Sequence, residues 1–466
     1  MNEKTEAGFT LELSAAQYEE LLAAVTTRLV AVVRNIDRQP AWQPESLSTM
    51  PLDELPEHGT PLQTVLDRFF EQALPGGRFT TSPRYFAYVP GGGLPQAAAA
   101  ELLASTVNRF TGIRIAAPGM AAIESSVIAW LKTMIGFPSS GVGALLSGGS
   151  LANWSAVIAA RERYWPRCEG DFSQARLYLS DQTHDCNHKA ARLAGFPEAC
   201  LRVIPSDRHS RIDLDRLEDA IRSDRAGGYK PFLAIGNAGN VNAGAVDDLE
   251  AMGEICARHG LWFHVDAAYG GFFALTAHGA RVLRGMPNAD SVALDPHKGL
   301  FLPFGTGAIV LRDAASLVAA QSIDADYLPG MSTQGDFDPC QLTPELSRPF
   351  RALRLWLPIS LHGIAAWRQA LEEKLVLAQS AHAEIASLTG AEIVAPPDLS
   401  LFAWRRGDVD EAGNRELLRR LNASGRMHFS STTVHGRFFL RLIALNFRTH
   451  RAHIEEALST IRVAWS

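Results

Sequence analysis

The sequence predicts an α/β fold: a mainly parallel central sheet covered by helices, with a smaller C-terminal α+β domain and an N-terminal helical arm. Two observations carry this reading. Through the middle of the chain, short apolar, β-rich runs alternate with longer segments of helical periodicity, the order that builds a parallel sheet between helices. The 466 residues also exceed what one hydrophobic core usually sustains, so a large domain with smaller attachments is expected.

The elements follow in chain order. Over residues 11–33, Leu21, Leu22, Val25, Leu29 and Val32 recur at helical spacing, and a proline-punctuated stretch follows over 40–61, which reads as a helical arm and a linker. An arm with so little core of its own is expected to pack on a second subunit, so residues 1–82 are assigned to dimerisation. Candidate strands lie at 142–147, 175–180, 231–235, 261–265, 291–295 and 307–311. Helical patterns at 151–164, 214–222 and 246–259 are long enough to cross back over the sheet. These place a large doubly wound domain over 83–348. Over 349–466 helices come first, and then short strands (401–404, 438–443) alternate with helices, giving the small domain.

Composition narrows the class of function. Apolar residues make up 47% and charged residues 20% of the chain, as in an ordinary globular protein. A net charge of −6 with both signs interspersed gives no electrostatic reason to expect nucleic acid or an anionic membrane as partner. No apolar run approaches the roughly 20 residues needed to span a bilayer, and residues 1–10 do not look like a targeting segment. The five cysteines are scattered and never form a Cys-x-x-Cys pair, so no metal site is read from them and a reducing, cytoplasmic compartment is expected.

Four segments carry chemistry. Asp295-Pro296-His297-Lys298-Gly299 follows a buried strand, which puts a lysine at the sheet edge where open α/β sheets gather ligands. Alone, it would read as a solvated surface lysine. The strand Trp262-Phe263-His264-Val265 ends on Asp266 and two alanines, and Asp266 is read as a ligand contact or as a helix cap. Ser147-Gly148-Gly149-Ser150 closes a strand and opens a helix, the arrangement of a phosphate cradle and also of an ordinary turn. Ser180-Asp181-Gln182-Thr183-His184 follows another strand, and a lone histidine there gains weight only in company.

Taken in order, these segments resemble the group II pyridoxal-phosphate decarboxylases, which include the aromatic L-amino acid, histidine and glutamate decarboxylases. The resemblance extends to Phe86-Ala87-Tyr88, Ala116-Ala117-Pro118 with Glu124, Gly244-Ala245-Val246-Asp247, and Glu345-Leu346-Ser347-Arg348. It implies the aspartate aminotransferase-like fold, fold type I of the pyridoxal-phosphate enzymes, and a homodimer with its active site at the subunit interface. By resemblance, Lys298 forms the Schiff base with pyridoxal 5'-phosphate and Asp266 faces the pyridine nitrogen. His184 stacks on the ring, and Ala268 packs below it. Gly149, Ser150 and Asp295 lie near the phosphate, Ser347 reaches it from the partner subunit, and His297 belongs to the same site. The implied reaction is decarboxylation of an amino acid, aromatic or otherwise bulky, to the amine.

The sequence departs from the family pattern at four places. The segment 323–344 has the composition of a flexible lid, but the position of the family's proton-donating tyrosine falls on Phe337, and Tyr327 aligns nearer the loop's start. A phenylalanine gives no proton, so release of an aldehyde after reaction with oxygen is the alternative outcome. Asn240 stands where the family usually has threonine near the cofactor. Arg114 replaces an aromatic residue, facing either the pocket or solvent, and Gly91-Gly92-Gly93 beside Tyr88 replaces bulkier pocket residues. Carbon–sulfur or aldol cleavage, and a noncatalytic homologue, are the remaining readings. Retention of Lys298, Asp266 and His184 weighs against the last.

Overall fold

Helix α1 (Ala15–Asn35) begins on a capping box in which the Ser14 hydroxyl accepts from the Gln17 amide and the Gln17 side chain accepts from the Ser14 amide. None of its residues is buried within the chain, as expected of an arm whose apolar stripe needs another surface. The structure, a computed structural model, describes residues 11–43, 54–322 and 337–465.

After the arm come β1 (Tyr85–Phe86), α2 (Pro95–Val107) and α3 (Pro118–Met134), both helices opening on proline, whose fixed φ suits the first turn. The large domain then alternates β2 (Val142–Leu146), α4 (Gly149–Tyr164), β3 (Ala175–Ser180), α5 (Cys186–Leu193), β4 (Leu201–Ile204), α6 (Leu214–Ala226), β5 (Lys230–Asn237), α7 (Leu249–His259), β6 (Trp262–Asp266), β7 (Ser291–Leu294), the single turn α8 (Pro296–Gly299) and β8 (Gly307–Leu311). The strands form one seven-stranded sheet in the order β2-β8-β7-β6-β5-β3-β4. Only β8 runs against its neighbours. Its connection from β7 carries one helical turn instead of a crossover helix, so the chain returns antiparallel. The mainly parallel sheet and the helical N-terminal segment agree with the fold class read from the sequence.

Both faces of this sheet are covered, and alternate residues serve opposite cores. Leu177 and Leu179 pack with α4 and α5, whereas Tyr178 between them packs with α6 and α7. The same alternation sends Phe263 and Val265 of β6 to one face and Trp262 to the other. On that second face lie His264 and Asp266, polar residues buried in the same stripe as Trp262.

The C-terminal part comprises α9 (Leu353–His362), α10 (Ile364–Ala386), β9 (Ala391–Ile393), β10 (Leu401–Arg406), α11 (Glu411–Asn422), β11 (His428–Val434), β12 (Arg437–Ile443) and α12 (Arg451–Trp465). Its sheet has the order β9-β10-β12-β11-β1. Two segments cross the divisions expected at residues 83 and 349. Strand β1 pairs with β11 in this second sheet, and Leu355, Ile359, Trp367 and Leu371 of α9 and α10 pack into the core of the large domain.

Candidate active site

Six of the seven strands of the large sheet share one direction, so the residues that follow them converge at one edge. There Ser147–Ser150 after β2, His184 after β3, Gly239 and Asn240 after β5, Asp266 at the end of β6, Ala268 beyond it, and Asp295, His297 and Lys298 after β7 line one cleft of about 430 Å³. The segments singled out in the sequence thus meet in space, although up to 150 residues separate them in the chain.

Lys298 Nζ lies 2.9 Å from Asp295 Oδ2. Burial would push its pKa down, but the nearby Asp295 and Asp266 carboxylates outweigh burial and hold it above the ordinary lysine value. Asp295 is itself buried, and its Oδ1 has no hydrogen-bond partner. His297 Nδ1 donates to the Thr306 carbonyl oxygen at 2.7 Å, and burial lowers its pKa. His184 Nδ1 accepts from the Cys186 amide at 3.1 Å, which leaves the proton of the neutral ring on Nε2.

Asp266 is held from three sides. Its Oδ2 accepts from Asn187 Nδ2 at 2.9 Å and Asn153 Nδ2 at 3.1 Å, and its Oδ1 accepts from the Ala268 amide at 3.2 Å. Every partner is a donor, so both carboxylate oxygens act as acceptors and the side chain is fixed in orientation. Neither asparagine was assigned a role from the sequence. Asn153 ends the Gly-Gly-Ser segment one helical turn beyond the cradle, and Asn187 follows His184 by three residues, so helical spacing on α4 and α5 was the available signal.

The cradle fits a phosphate. A Cβ at Gly149 would come within 2.8 Å of Asp295 Oδ2 and 3.1 Å of Ala268 Cβ, so only glycine lets the first turn of α4 approach the cleft floor so closely. That turn presents free amides and the positive end of a 16-residue helix. Together with a half-buried lysine, an oriented carboxylate, a small floor residue and the orphaned Asp295 oxygen, these residues fit pyridoxal phosphate in shape and donor chemistry.

The remaining assigned residues lie elsewhere. Asn240 borders the cleft, but its side chain serves its own turn: Oδ1 accepts from the Ala243 and Gly244 amides at 2.8 and 3.2 Å, and Nδ2 donates to the Ser210 carbonyl at 2.7 Å. Arg114 and Phe337 line a second, smaller cleft together with Glu124 and Lys132, and the Arg114 guanidinium donates to Ser125 Oγ. Phe337 packs against the core beneath α4. Ser347 is exposed. Next to it, Arg348 forms a buried ion pair with Glu124 at 2.8 Å. Tyr88 is 46% exposed, has a left-handed backbone at φ 53°, and its ring centroid lies 5.2 Å from the Arg78 and 5.9 Å from the Arg441 guanidinium carbon. Tyr327 falls outside the described residues.

Comparison with known proteins extends these observations. A family model described as the pyridoxal-dependent decarboxylase conserved domain matches residues 44–406. An aromatic-L-amino-acid decarboxylase of Bacillus atrophaeus is 31% identical over 464 residues, covering 97% of this chain and 96% of that protein. A phenylacetaldehyde synthase of Arabidopsis thaliana is 30% identical over 441 residues, 90% of this chain and 89% of that protein. The crystal structure of Oryza sativa TDC with PLP and tryptamine shares the fold at a TM-score of 0.92 and 25% identity, covering 98% of this chain and 99% of that one. The chain therefore belongs to the pyridoxal-dependent decarboxylase family and is a pyridoxal-phosphate enzyme that decarboxylates an amino acid.

Proposed function

We propose that this enzyme converts aromatic L-amino acids to the corresponding amines and carbon dioxide, with Lys298 carrying the cofactor. The observation that bears most of this reading is the placement of Lys298 Nζ in a cleft with Asp295 at 2.9 Å and the oriented Asp266 carboxylate on the neighbouring strand. The aromatic class is supported by the relative from Bacillus atrophaeus and by the tryptamine-bound rice structure.

Bound pyridoxal phosphate supplies an aldehyde that captures amines and a ring that draws electrons from the bond being broken. The chain's own groups do the rest. Lys298 must shed a proton to become a nucleophile, and Asp295 Oδ2 is the base in contact with it. Asp266 offers a fixed carboxylate to a protonated ring nitrogen. His184 presents an Nε2–H toward the reacting carboxylate, Ala268 keeps the floor of the cleft flat, and the amides of Gly149 and Ser150 receive the phosphate. His297 and Asn240 act through the backbone they brace.

The active form in this reading is a homodimer with the site at the subunit interface. Arg114, Phe337 and Ser347 do not line the Lys298 cleft of their own chain, no residue of α1 is fully buried within the chain, and Leu102, Leu103 and Val107 expose apolar surface on α2; a second subunit would use all three. Tyr88 and Tyr327 are assigned to the substrate side. A cytoplasmic location is proposed from the free thiols of Cys186, Cys200 and Cys256.

A second reading, oxidative release of an aldehyde, is favoured by Phe337 at the position of the family's proton donor and by the aldehyde synthase among the relatives. Supplying tryptophan, tyrosine, phenylalanine and glutamate to the enzyme and measuring carbon dioxide, amine, aldehyde and hydrogen peroxide tests both. Amine with carbon dioxide from the aromatic substrates supports the decarboxylase, and aldehyde with peroxide supports the synthase. Turnover of glutamate alone would refute the substrate class, and a Lys298→Ala protein that still turned over would refute the role of Lys298.

A further inference from the structure

Behind Asp266 runs a line of buried polar side chains that the reaction as described does not use. Trp262, His264 and Asp266 alternate along β6 and so share one face of the sheet. Ser291 opens β7 directly beside His264, and Asn153 reaches down from α4. Trp262 Nε1 lies 2.8 Å from Ser291 Oγ, Ser291 Oγ 2.8 Å from His264 Nδ1, His264 Nε2 2.7 Å from Asn153 Oδ1, and Asn153 Nδ2 3.1 Å from Asp266 Oδ2. His264, Ser291 and Asn153 are all 0% exposed.

The Asp266 end of this line sets the proton direction, and the Trp262 end is compatible with it; His264 Nδ1 lies nearer the Ser291 hydroxyl, at 2.8 Å, than the Ser291 carbonyl, at 3.2 Å. The indole N–H of Trp262 can only donate, so Ser291 accepts from it and is free to pass its own proton to His264 Nδ1. The carboxylate of Asp266 can only accept, so Asn153 must turn its amide toward Asp266 and its carbonyl toward His264. His264 therefore carries its proton on Nε2, and burial keeps it neutral by lowering its pKa to about 4. With the other tautomer, the Asn153 oxygen would face the Asp266 oxygen.

We propose that Ser291, His264 and Asn153 form a one-way hydrogen-bond chain that fixes the orientation of Asp266 as an acceptor, making His264 and Asn153 positioning residues for the contact between Asp266 and the cofactor's ring nitrogen. The proposal rests on the reading of Asp266 given above. Severing the chain removes or reverses one charge-assisted hydrogen bond to Asp266, which weakens the carboxylate's hold on a protonated ring.

The test uses the full-length protein freed of cofactor and reloaded with pyridoxal phosphate labelled with 15N in the ring. Two quantities are read: the dissociation constant, and the ring 15N chemical shift, which reports protonation directly. His264→Leu and Asn153→Ala are each expected to weaken cofactor binding about tenfold, the value of one hydrogen bond to a charged group. Both should also move the 15N signal toward the unprotonated position. The double variant should be no worse than the poorer single one, because both cut the same chain. His264→Gln, whose amide can still donate to Asn153, should restore most of the signal. Ser291→Ala frees His264 to reverse its tautomer, and should move the signal the same way in a protein that loses a single oxygen atom; it carries the test if His264→Leu does not fold. An unmoved 15N signal in folded variants, or His264→Gln behaving as His264→Leu does, would overturn the proposal. Asp266→Asn separates the two levels. If it too leaves the signal in place, the reading of Asp266 fails; if it alone moves the signal, only the chain does.

Discussion

Replacing Gly149 with alanine should weaken cofactor binding while leaving the fold intact, and the structure sets the size of the effect. The added methyl would lie 2.8 Å from Asp295 Oδ2, 3.1 Å from Ala268 Cβ and 3.3 Å from Asp295 Cγ. Asp295 has little room to retreat, since it is 2% exposed and its Oδ2 holds Lys298 Nζ at 2.9 Å. Overpacking of this kind costs about 1–3 kcal/mol. At about 1.4 kcal/mol per factor of ten, that is a loss of roughly ten- to a hundredfold in affinity if the strain is felt when the phosphate enters. The free protein can relax by letting the first turn of α4 lift, and alanine is a better helix former than glycine by up to about 1 kcal/mol, so its melting temperature should change little. Titrating cofactor-free protein with pyridoxal phosphate, following intrinsic fluorescence, and melting the same samples gives both numbers. Affinity within twofold of the parent protein would refute the assignment of this turn as the phosphate cradle.

Three further expectations concern stability. Asp247 is buried and only accepts: Oδ1 from the Ile212 amide at 2.7 Å, and Oδ2 from the Asn237 amide and side chain at 2.7 and 2.9 Å. Asp247→Asn must turn an NH2 toward at least one of these donors, and urea unfolding should show a loss of about 1–3 kcal/mol. Arg348→Met leaves the Glu124 carboxylate buried without its partner and should cost about 3–5 kcal/mol, most of it recovered in the double variant with Glu124→Leu. His264 gives a pH dependence: its folded pKa of about 4 lies below the ordinary 6.5, so between these values the unfolded chain binds the proton more readily. Stability should therefore fall as pH drops from about 6.5 to 4, by up to about 3 kcal/mol, and His264→Gln should flatten that slope in urea titrations at pH 7 and pH 5.

How far the sequence could be read depends on whether a residue acts through its neighbours in the chain or through residues distant from it. The run over 175–180 was legible as a strand from its apolar, β-rich residues, while the division of Leu177 and Leu179 to one face and Tyr178 to the other shows only in the packed sheet. The meeting of Lys298, Asp266, Gly149 and His184 at one edge was legible because each lies at the end of a strand or within four residues beyond it, and parallel strands deliver such positions to one edge. Strand β4 was not anticipated, since Arg202 and Val203 are exposed at the sheet's border and blur the pattern. The antiparallel return of β8 depends on a connection, not on the strand's own residues. Asn240 illustrates a different limit. Its type and place suggested a cofactor contact, yet three hydrogen bonds to Ser210, Ala243 and Gly244 occupy its amide. His264 and Asn153 stood inside segments already singled out, but their connection needs β6, β7 and α4 to be assembled, across 111 residues of chain.

The distribution of charge in the cleft explains why shape should govern cofactor binding here. Among the described residues lining the cleft, Lys298 is the only lysine or arginine, and it already faces Asp295 and Asp266. A phosphate dianion entering beside two carboxylates thus meets no free cationic side chain among the described residues of the cleft. In the proposed site its hold would come from neutral donors, the amides of the first turn of α4 and the hydroxyls of Ser147 and Ser150, reinforced by the helix dipole. Such donors act only at hydrogen-bond distance, and bound ions screen them little. Raising the salt concentration from about 0.05 to 0.5 M shortens the Debye length from roughly 14 to 4 Å, yet it should change cofactor affinity less than the single methyl of Gly149→Ala. A salt effect larger than the methyl effect would mean that a cationic group outside this cleft, from the partner subunit, supplies the phosphate's counter-charge.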